Sequence, residues 1–373
     1  MVVTSRVSSA AVRLDGLVQL TRSLNLTDAV FVGLGSMIGA GVFAVFAPAS
    51  AAAGSALLVS LVVAGVIACC NALSSAWLAA EYPQSGGTYV YGRERLGRVW
   101  GDLAGWAFVL GKTSSCAAMA LTVGTYVGAP KPVAVAAIVA LTILNLTGVQ
   151  KSAMVTRIIV IAVLLALAAM TVTAREAPTH ADFKAAGILP AAALLFFAFA
   201  GYARIATLGE EVKEPRKTIP RAVIIALAIT LIVYASVAVT ALSALGGDLA
   251  TKTLADVSPA LAPVIRIAAC LAALGSLLSL QLGVSRTALA MARDRRLPGF
   301  LADLRWAEIT TATVAIALVL AVDVTRAIVF SSFCVLLYYA IANASAWTLG
   351  KRVVPAIGLA GCLTLAGAVV WQL

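Results

Sequence analysis

Hydrophobic positions in this chain do not alternate with polar ones; they run on. Apolar stretches of about 20 residues recur between short polar breaks, and that is the length a helix needs to cross a hydrocarbon core. The pattern predicts eleven membrane segments, at about 27–49, 54–80, 99–127, 131–147, 153–174, 188–210, 219–245, 260–290, 307–322, 326–348 and 354–372. The ninth is the shortest. Alanine- and valine-rich runs inside these spans require only lipid-facing or tightly packed helix. Breaks such as YPQSGGTYVYGRERLGR, EEVKEPRKTIPR and ARDRRLPGFLADLR leave no room for a soluble domain. An outer-membrane barrel is excluded, because its strands alternate over about 10 residues. No cleavable leader is expected: MVVTSRVSSAAVRLDGLVQLTRSLNLT has basic residues but no coherent apolar region ending at a cleavage site.

Composition strengthens this reading. Of 373 residues, 62% are hydrophobic and 12% charged, against about 45–50% and about 25% in soluble chains. The mean hydropathy is +1.01. A net charge of +11 and a pI near 9.7 raise nucleic acid as a partner, until the charges are located. With the N-terminus cytoplasmic, the inner side collects Arg6, Arg13, Arg22, Arg93, Arg95, Arg98, Lys151 and Arg157. It also collects Lys213, Arg216, Lys217, Arg221, Arg293, Arg295, Arg296, Arg305, Lys351 and Arg352. The outer side has only Lys131, Arg175, Lys184, Lys252 and Arg326. This asymmetry predicts a multi-pass protein of the cell membrane with a cytoplasmic N-terminus; eleven crossings then put the C-terminus outside. The basic charge anchors loops, and no loop joins a long basic patch to aromatic residues, so nucleic-acid binding is not expected.

Catalytic chemistry has little to work with. Cys69, Cys70, Cys116, Cys270, Cys334 and Cys362 all lie in apolar segments without metal-ligand spacing, and read as small buried hydrophobes. His180 is the single histidine, in the polar linker REAPTHADFK. GxSxG, HExxH and GxxxxGK[ST] are absent from the sequence. An enzyme, a metal or other cofactor, and an ATP-driven pump are therefore not expected.

The most informative stretch is GLGSMIGAGVF, residues 33–43, with Gly33, Gly35, Gly39 and Gly41 in an apolar run. Glycine is a poor helix former, and unpaired backbone groups are costly in hydrocarbon. Such a helix either packs closely on another through the GxxxG spacing of Gly35 and Gly39, or is broken to line a polar site. Segment 6 tips the balance. PAAALLFFAFAGYARIATLGEEVKEP combines Gly201, Tyr202 and Arg204 near the membrane interior, where an arginine must be paired or solvated. Segments 1 and 6 occupy corresponding places in two five-helix halves, and paired interruptions there point to a transport site near the midplane. Amides at one broken end favour a carboxylate, and carbonyls at the other favour an ammonium group.

GLGSMIGAGVF, AEYPQSGGTYVYGRERLGRVWGDLAGW, FFAFAGYARIATLGEEVKEPRKTIPRA, LGSLLSLQLGVSRTALAMARDRRLP and VLLYYAIANASAW together resemble the amino acid–polyamine–organocation permeases, and are similar to their cationic amino acid transporter-like branch. The match runs in family order from about residue 25 to 370. The resemblance implies an all-α polytopic membrane protein with a five-plus-five inverted-repeat fold, broken in helices 1 and 6. It divides the chain into a cytoplasmic segment 1–26, a core 27–348 with repeats 27–174 and 188–348, and an additional helix 354–372. It implies secondary transport of an amino acid by symport or exchange, with membrane lipid around it and a proton as the candidate co-transported ion. The alternatives are a polyamine/amino acid antiporter and a truncated relative that is structural or sensory. The carboxylate-binding turn would be Ser36, Met37, Ile38, Gly39, Ala40 and Gly41. The facing site would be Phe197, Ala198, Phe199, Ala200 and Gly201, with Phe199 or Tyr202 as an aromatic gate.

Three departures bear on mechanism. The lysine that several proton-coupled relatives carry in helix 5 is replaced here by Val163 in VTRIIVIAV. Lys112, in GWAFVLGKTSSCAAMA, is another intramembrane lysine: a proton carrier, a fixed charge in the substrate path, or a residue that snorkels to the cytoplasmic interface or pairs structurally. It lies eleven residues beyond Gly101, about 16 Å along a helix, so snorkelling is not easy. The second departure is Arg204, where many relatives are acidic. It would repel a cationic substrate side chain unless Glu210 or Glu211 neutralises it, and those carboxylates are also candidates for an inner gate with Arg93 or Arg293. Third, relatives commonly have twelve helices and eleven are counted here. Asp28 reads as structural, beside a helix N-cap at Asn25 or Thr27.

Overall fold

The computed structural model describes residues 24–82, 86–147, 153–175, 180–206, 208 and 211–370. These residues are helical almost throughout. In chain order the helices are α1 (Leu26–Met37), α2 (Ala40–Ala44), α3 (Phe46–Ala53), α4 (Leu57–Glu81), α5 (Thr88–Leu96), α6 (Arg98–Val127), α7 (Pro130–Leu146), α8 (Ala153–Thr173), α9 (Ile188–Phe199), α10 (Ala203–Ala206), α11 (Pro215–Leu245), α12 (Ala262–Arg293), α13 (Leu304–Ala321), α14 (Val324–Trp347) and α15 (Val353–Val370).

Among the described residues, ten helical spans are long and apolar enough to cross a membrane. The protein is an all-α polytopic membrane protein. The fourth predicted segment, not the ninth, is the short one. α7 has 17 residues, confined between left-handed Gly128 with Pro130 at its start and Thr147 at its end. α13 gains length because Asp303 caps it, accepting the Arg305 amide at 2.8 Å, and so draws interfacial residues into the helix. Pro215, after the EEVKE break, starts a helix. It occupies the first turn of α11, where its missing N–H costs nothing.

α1 starts from a reciprocal cap. The Asp28 amide donates to Asn25 Oδ1 at 2.9 Å and the Asn25 amide to Asp28 Oδ2 at 3.2 Å. Asp28 also accepts from Arg157 of α8 at 2.8 Å, so one carboxylate both starts α1 and ties it to a neighbour.

Packing is reciprocal in two halves. α1 packs on α11 as α9 packs on α4, and α1 lies on α8 as α9 lies on α14. α6 meets α14 as α12 meets α8, while α4 with α11, α6 with α12 and α7 with α13 complete the pattern. α15 stands apart from this correspondence, against α14, α4 and α9.

Small side chains permit close approach, and a polar cluster fixes register. Asn71, Ser74 and Asn343 are fully buried. The Asn343 amide donates to Asn71 Oδ1 at 2.6 Å and to the Tyr339 carbonyl at 2.9 Å, and its oxygen accepts from Ser74 at 2.7 Å. Cys362 of α15 closes the cluster against Asn71. Truncating Asn343 leaves buried partners unpaired, at about 1–3 kcal/mol. Asn343→Ala should therefore lower the thermal unfolding midpoint in detergent clearly below wild type; an unchanged midpoint would show that the cluster does not hold α4 and α14 together.

Candidate functional site

α1 ends at Met37, and the chain turns at Ile38 (φ −78°, ψ 3°) and Gly39 (φ −60°, ψ −126°) before α2 begins. The first amides of α2 have no acceptor inside that helix. On the facing element, α9 gives way to a 3₁₀ turn over Ala200–Tyr202 and then to the short α10. Both interruptions fall in the glycine-marked stretches.

The two interrupted elements touch where they lack side chains. A Cβ on Gly41 would lie 2.7 Å from the Ala198 Cα, and one on Gly201 would overlap the Ser36 carbonyl. A Cβ on Gly39 would collide with Ser276 of α12, whose hydroxyl donates to the Gly35 carbonyl at 2.9 Å.

Side chains from outside the broken elements serve the freed carbonyls. The Tyr234 hydroxyl of α11 lies 2.5 Å from the Met37 carbonyl and 3.1 Å from the Ala198 carbonyl. Its single proton is thus shared between the two interruptions. The Ala200 carbonyl accepts from Lys112 of α6 at 3.4 Å and from Tyr339 of α14 at 3.3 Å. Lys112 is only 8% exposed and turns to this carbonyl, so it does not snorkel.

A cavity of about 210 Å³ opens beside the interruptions. Of the residues singled out from the sequence, Ser36, Lys112, Phe197, Ala200, Gly201, Arg204 and Glu211 line it. Met37, Ile38, Gly39, Ala40, Gly41, Ala198, Phe199 and Tyr202 are buried outside its lining. The aromatic-gate expectation shifts accordingly. Phe199 packs on Tyr234 and Tyr202 on Tyr339, each at 5.0 Å between ring centres. The aromatics at the cavity are Phe197, Phe108, Tyr338 and, at its mouth, Tyr89. Arg204 lies 3.7 Å from Glu211, whereas Glu210 is outside the described residues. Val163 is buried, and α8 offers no lysine at that position.

A second cavity, of about 470 Å³, is lined by Phe43, Phe46, Tyr126, Lys252 and Arg326. In sequence, the buried stretch Met37–Val42 joins Ser36, in the wall of the first cavity, to Phe43, in the wall of the second. At the first cavity's mouth, Tyr89 of α5 donates to Asp294 at 2.5 Å, and Arg93 bonds to both. The carboxylate partner of Arg93 is therefore Asp294 at the end of α12, not the glutamates after α10, because α5 leads straight into α6, which packs along α12. Burial, followed by the bond to Asp294, pushes the Tyr89 phenol up to about 12. Tyr234, Ser276, Arg286, Tyr338 and Tyr339 were not singled out from the sequence: each sits in an uninterrupted helix with no local mark of its role.

The profile of the amino acid permease family matches residues 24–358. The chain belongs to this family. An uncharacterized transporter of Mycobacterium tuberculosis is 56% identical over 381 aligned residues, covering 94% of this chain and 87% of the relative. The branched-chain amino acid permease of Bacillus subtilis is 28% identical, over 76% of this chain and 69% of its own. The vacuolar cationic amino acid transporter 4 of Arabidopsis thaliana is 29% identical, over 78% and 56%. The permease is thus a secondary membrane transporter for amino-acid-like substrates, not an enzyme.

Gly201→Ala tests the crossing of the two interruptions. Its Cβ must displace backbone, a cost of about 1–3 kcal/mol, and transport by the inserted permease should fall about tenfold or more. Gly367→Ala, which meets open space, should transport like wild type. Equal transport by both variants would show that the close approach is dispensable.

Proposed function

We propose that the permease carries an amino acid across the cell membrane by alternating access between its two cavities, as a symporter or exchanger. The observation that supports this reading is the pair of interruptions: the break after Met37 leads from the wall of one cavity at Ser36 to the wall of the other at Phe43, and the 3₁₀ turn Ala200–Tyr202 lies against it. Opening one side while closing the other needs only movement of the interrupted elements against the helices around them.

In this reading the core is 27–348, with inverted repeats 27–174 and 188–348, and 354–372 is an accessory helix. The reciprocal packing supports that division. The α-carboxylate meets amides of the turn Ser36, Met37, Ile38, Gly39, Ala40 and Gly41, exposed as this stretch moves. The ammonium group meets carbonyls of Phe197–Gly201. Arg204 and Glu211 act as a pair at the cavity wall. The names of the relatives, covering branched-chain and cationic amino acids, support an amino acid as cargo. The basic loops support a cytoplasmic N-terminus.

Counterflow in proteoliposomes loaded with each of the common amino acids tests the function. Saturable exchange of at least one is expected, and no exchange of any would reject it. Orientation is read separately, on a background lacking native cysteines. An impermeant maleimide added outside cells should label Lys252→Cys and spare Lys217→Cys; the reverse would invert the topology.

A further inference from the structure

Lys112 is a buried charge in the cavity wall with no ion pair among the described residues. It is 8% exposed, lies in the wall of the 210 Å³ cavity, and donates to the Ala200 carbonyl at 3.4 Å. Each of the six ion pairs found among the described residues involves other side chains. An ammonium group has three donors, and this hydrogen bond uses one. A buried cation needs an anion or further hydrogen bonds to be tolerated.

The Ala200 carbonyl sharpens the point. With Lys112 and Tyr339 both donating to it, its two lone pairs are occupied. The protein thus already places an ammonium group on one of the carbonyls of Phe197–Gly201, and a substrate ammonium is left the others. What the site lacks is a negative partner.

The surroundings favour the same sign. Among the described residues lining this cavity, Arg204 and Arg286 are also cations, and Glu211 is the one carboxylate, lying beside Arg204. The second cavity is lined by Arg326 and by Lys252, which is paired with Asp248 at 2.9 Å, with no carboxylate among its described lining residues. Clefts lined by one sign of charge concentrate solutes of the other.

We propose that Lys112 receives a second carboxylate on the substrate, so that the permease selects dicarboxylic amino acids over neutral and cationic ones. This rests on the transport reading above and adds the substrate class. The α-carboxylate still goes to the helix 1 turn, and the side-chain carboxylate pairs with the Lys112 ammonium. A neutral amino acid leaves that charge unpaired, and a cationic one brings a like charge beside it.

Glutamate and glutamine make the cleanest comparison, since they differ at the terminal group alone. In proteoliposome exchange, wild type should favour glutamate over glutamine by about tenfold or more, and over lysine by more still. Lys112→Met should bring the glutamate-to-glutamine ratio to within about twofold, and Lys112→Arg should restore the preference. Direct binding of labelled glutamate to detergent-purified protein, competed with glutamine, should give the same order without requiring transport. A wild-type preference for glutamine or lysine would overturn the inference and leave the transport reading standing, as would a Lys112→Met protein that keeps its glutamate preference. Failure of wild type to exchange or bind any amino acid would overturn both.

Discussion

The close approach of two backbones at Gly41 and Gly201 is the constraint on which the rest of the site depends. Gly41 faces Ala198 and Gly201 faces Ser36, so the stretch after one interruption meets the stretch before the other, and the contact is returned in kind. Side chains at either glycine would hold the two elements apart. Without that contact Tyr234 could not reach the Met37 and Ala198 carbonyls together, and the first cavity would lose the wall formed by Ser36 and Gly201. The reciprocal packing of the surrounding helices extends the same relation outward.

Breaking a helix in hydrocarbon exposes polar groups that must be satisfied. Here the partners come from helices that stay whole: Tyr234 from α11, Lys112 from α6, Tyr339 from α14 and Ser276 from α12. These side chains make the broken region affordable at rest. They are also what must be exchanged when a ligand arrives, so substrate binding and movement of the interrupted elements are physically coupled. An arrangement with two cavities whose walls are joined through one buried, interrupted stretch is suited to transport because neither cavity needs to cross the bundle.

Much of this was legible in the sequence. Continuous apolar runs give the helices, and glycine-rich GLGSMIGAGVF with the Gly201-Tyr202-Ala203-Arg204 turn marks the interruptions, because glycine changes local backbone preference. Asn25 and Asp28 announce the start of α1 by their spacing alone. The partners of the interruptions were not legible. Tyr234, Tyr339 and Ser276 are ordinary residues of regular helices, and their roles come from contacts spanning up to 241 positions in sequence. Phe199 and Tyr202 illustrate the converse. The family resemblance implied a gate at one of them, but whether an aromatic ring faces a cavity or a neighbouring tyrosine is decided by helix rotation. The length of α7 relative to α13 was misjudged for a similar reason: hydropathy does not register that a capped helix recruits interfacial residues.

An experimentally determined structure with a bound amino acid would test the central claim most directly. The account predicts density for the ligand between the two interruptions, its α-carboxylate within hydrogen-bond distance of amides in the Ser36–Gly41 turn and its body against Phe197 and Gly201. A ligand held elsewhere in the bundle, with regular α-helical hydrogen bonding through both Ile38–Gly39 and Ala200–Tyr202, would contradict it.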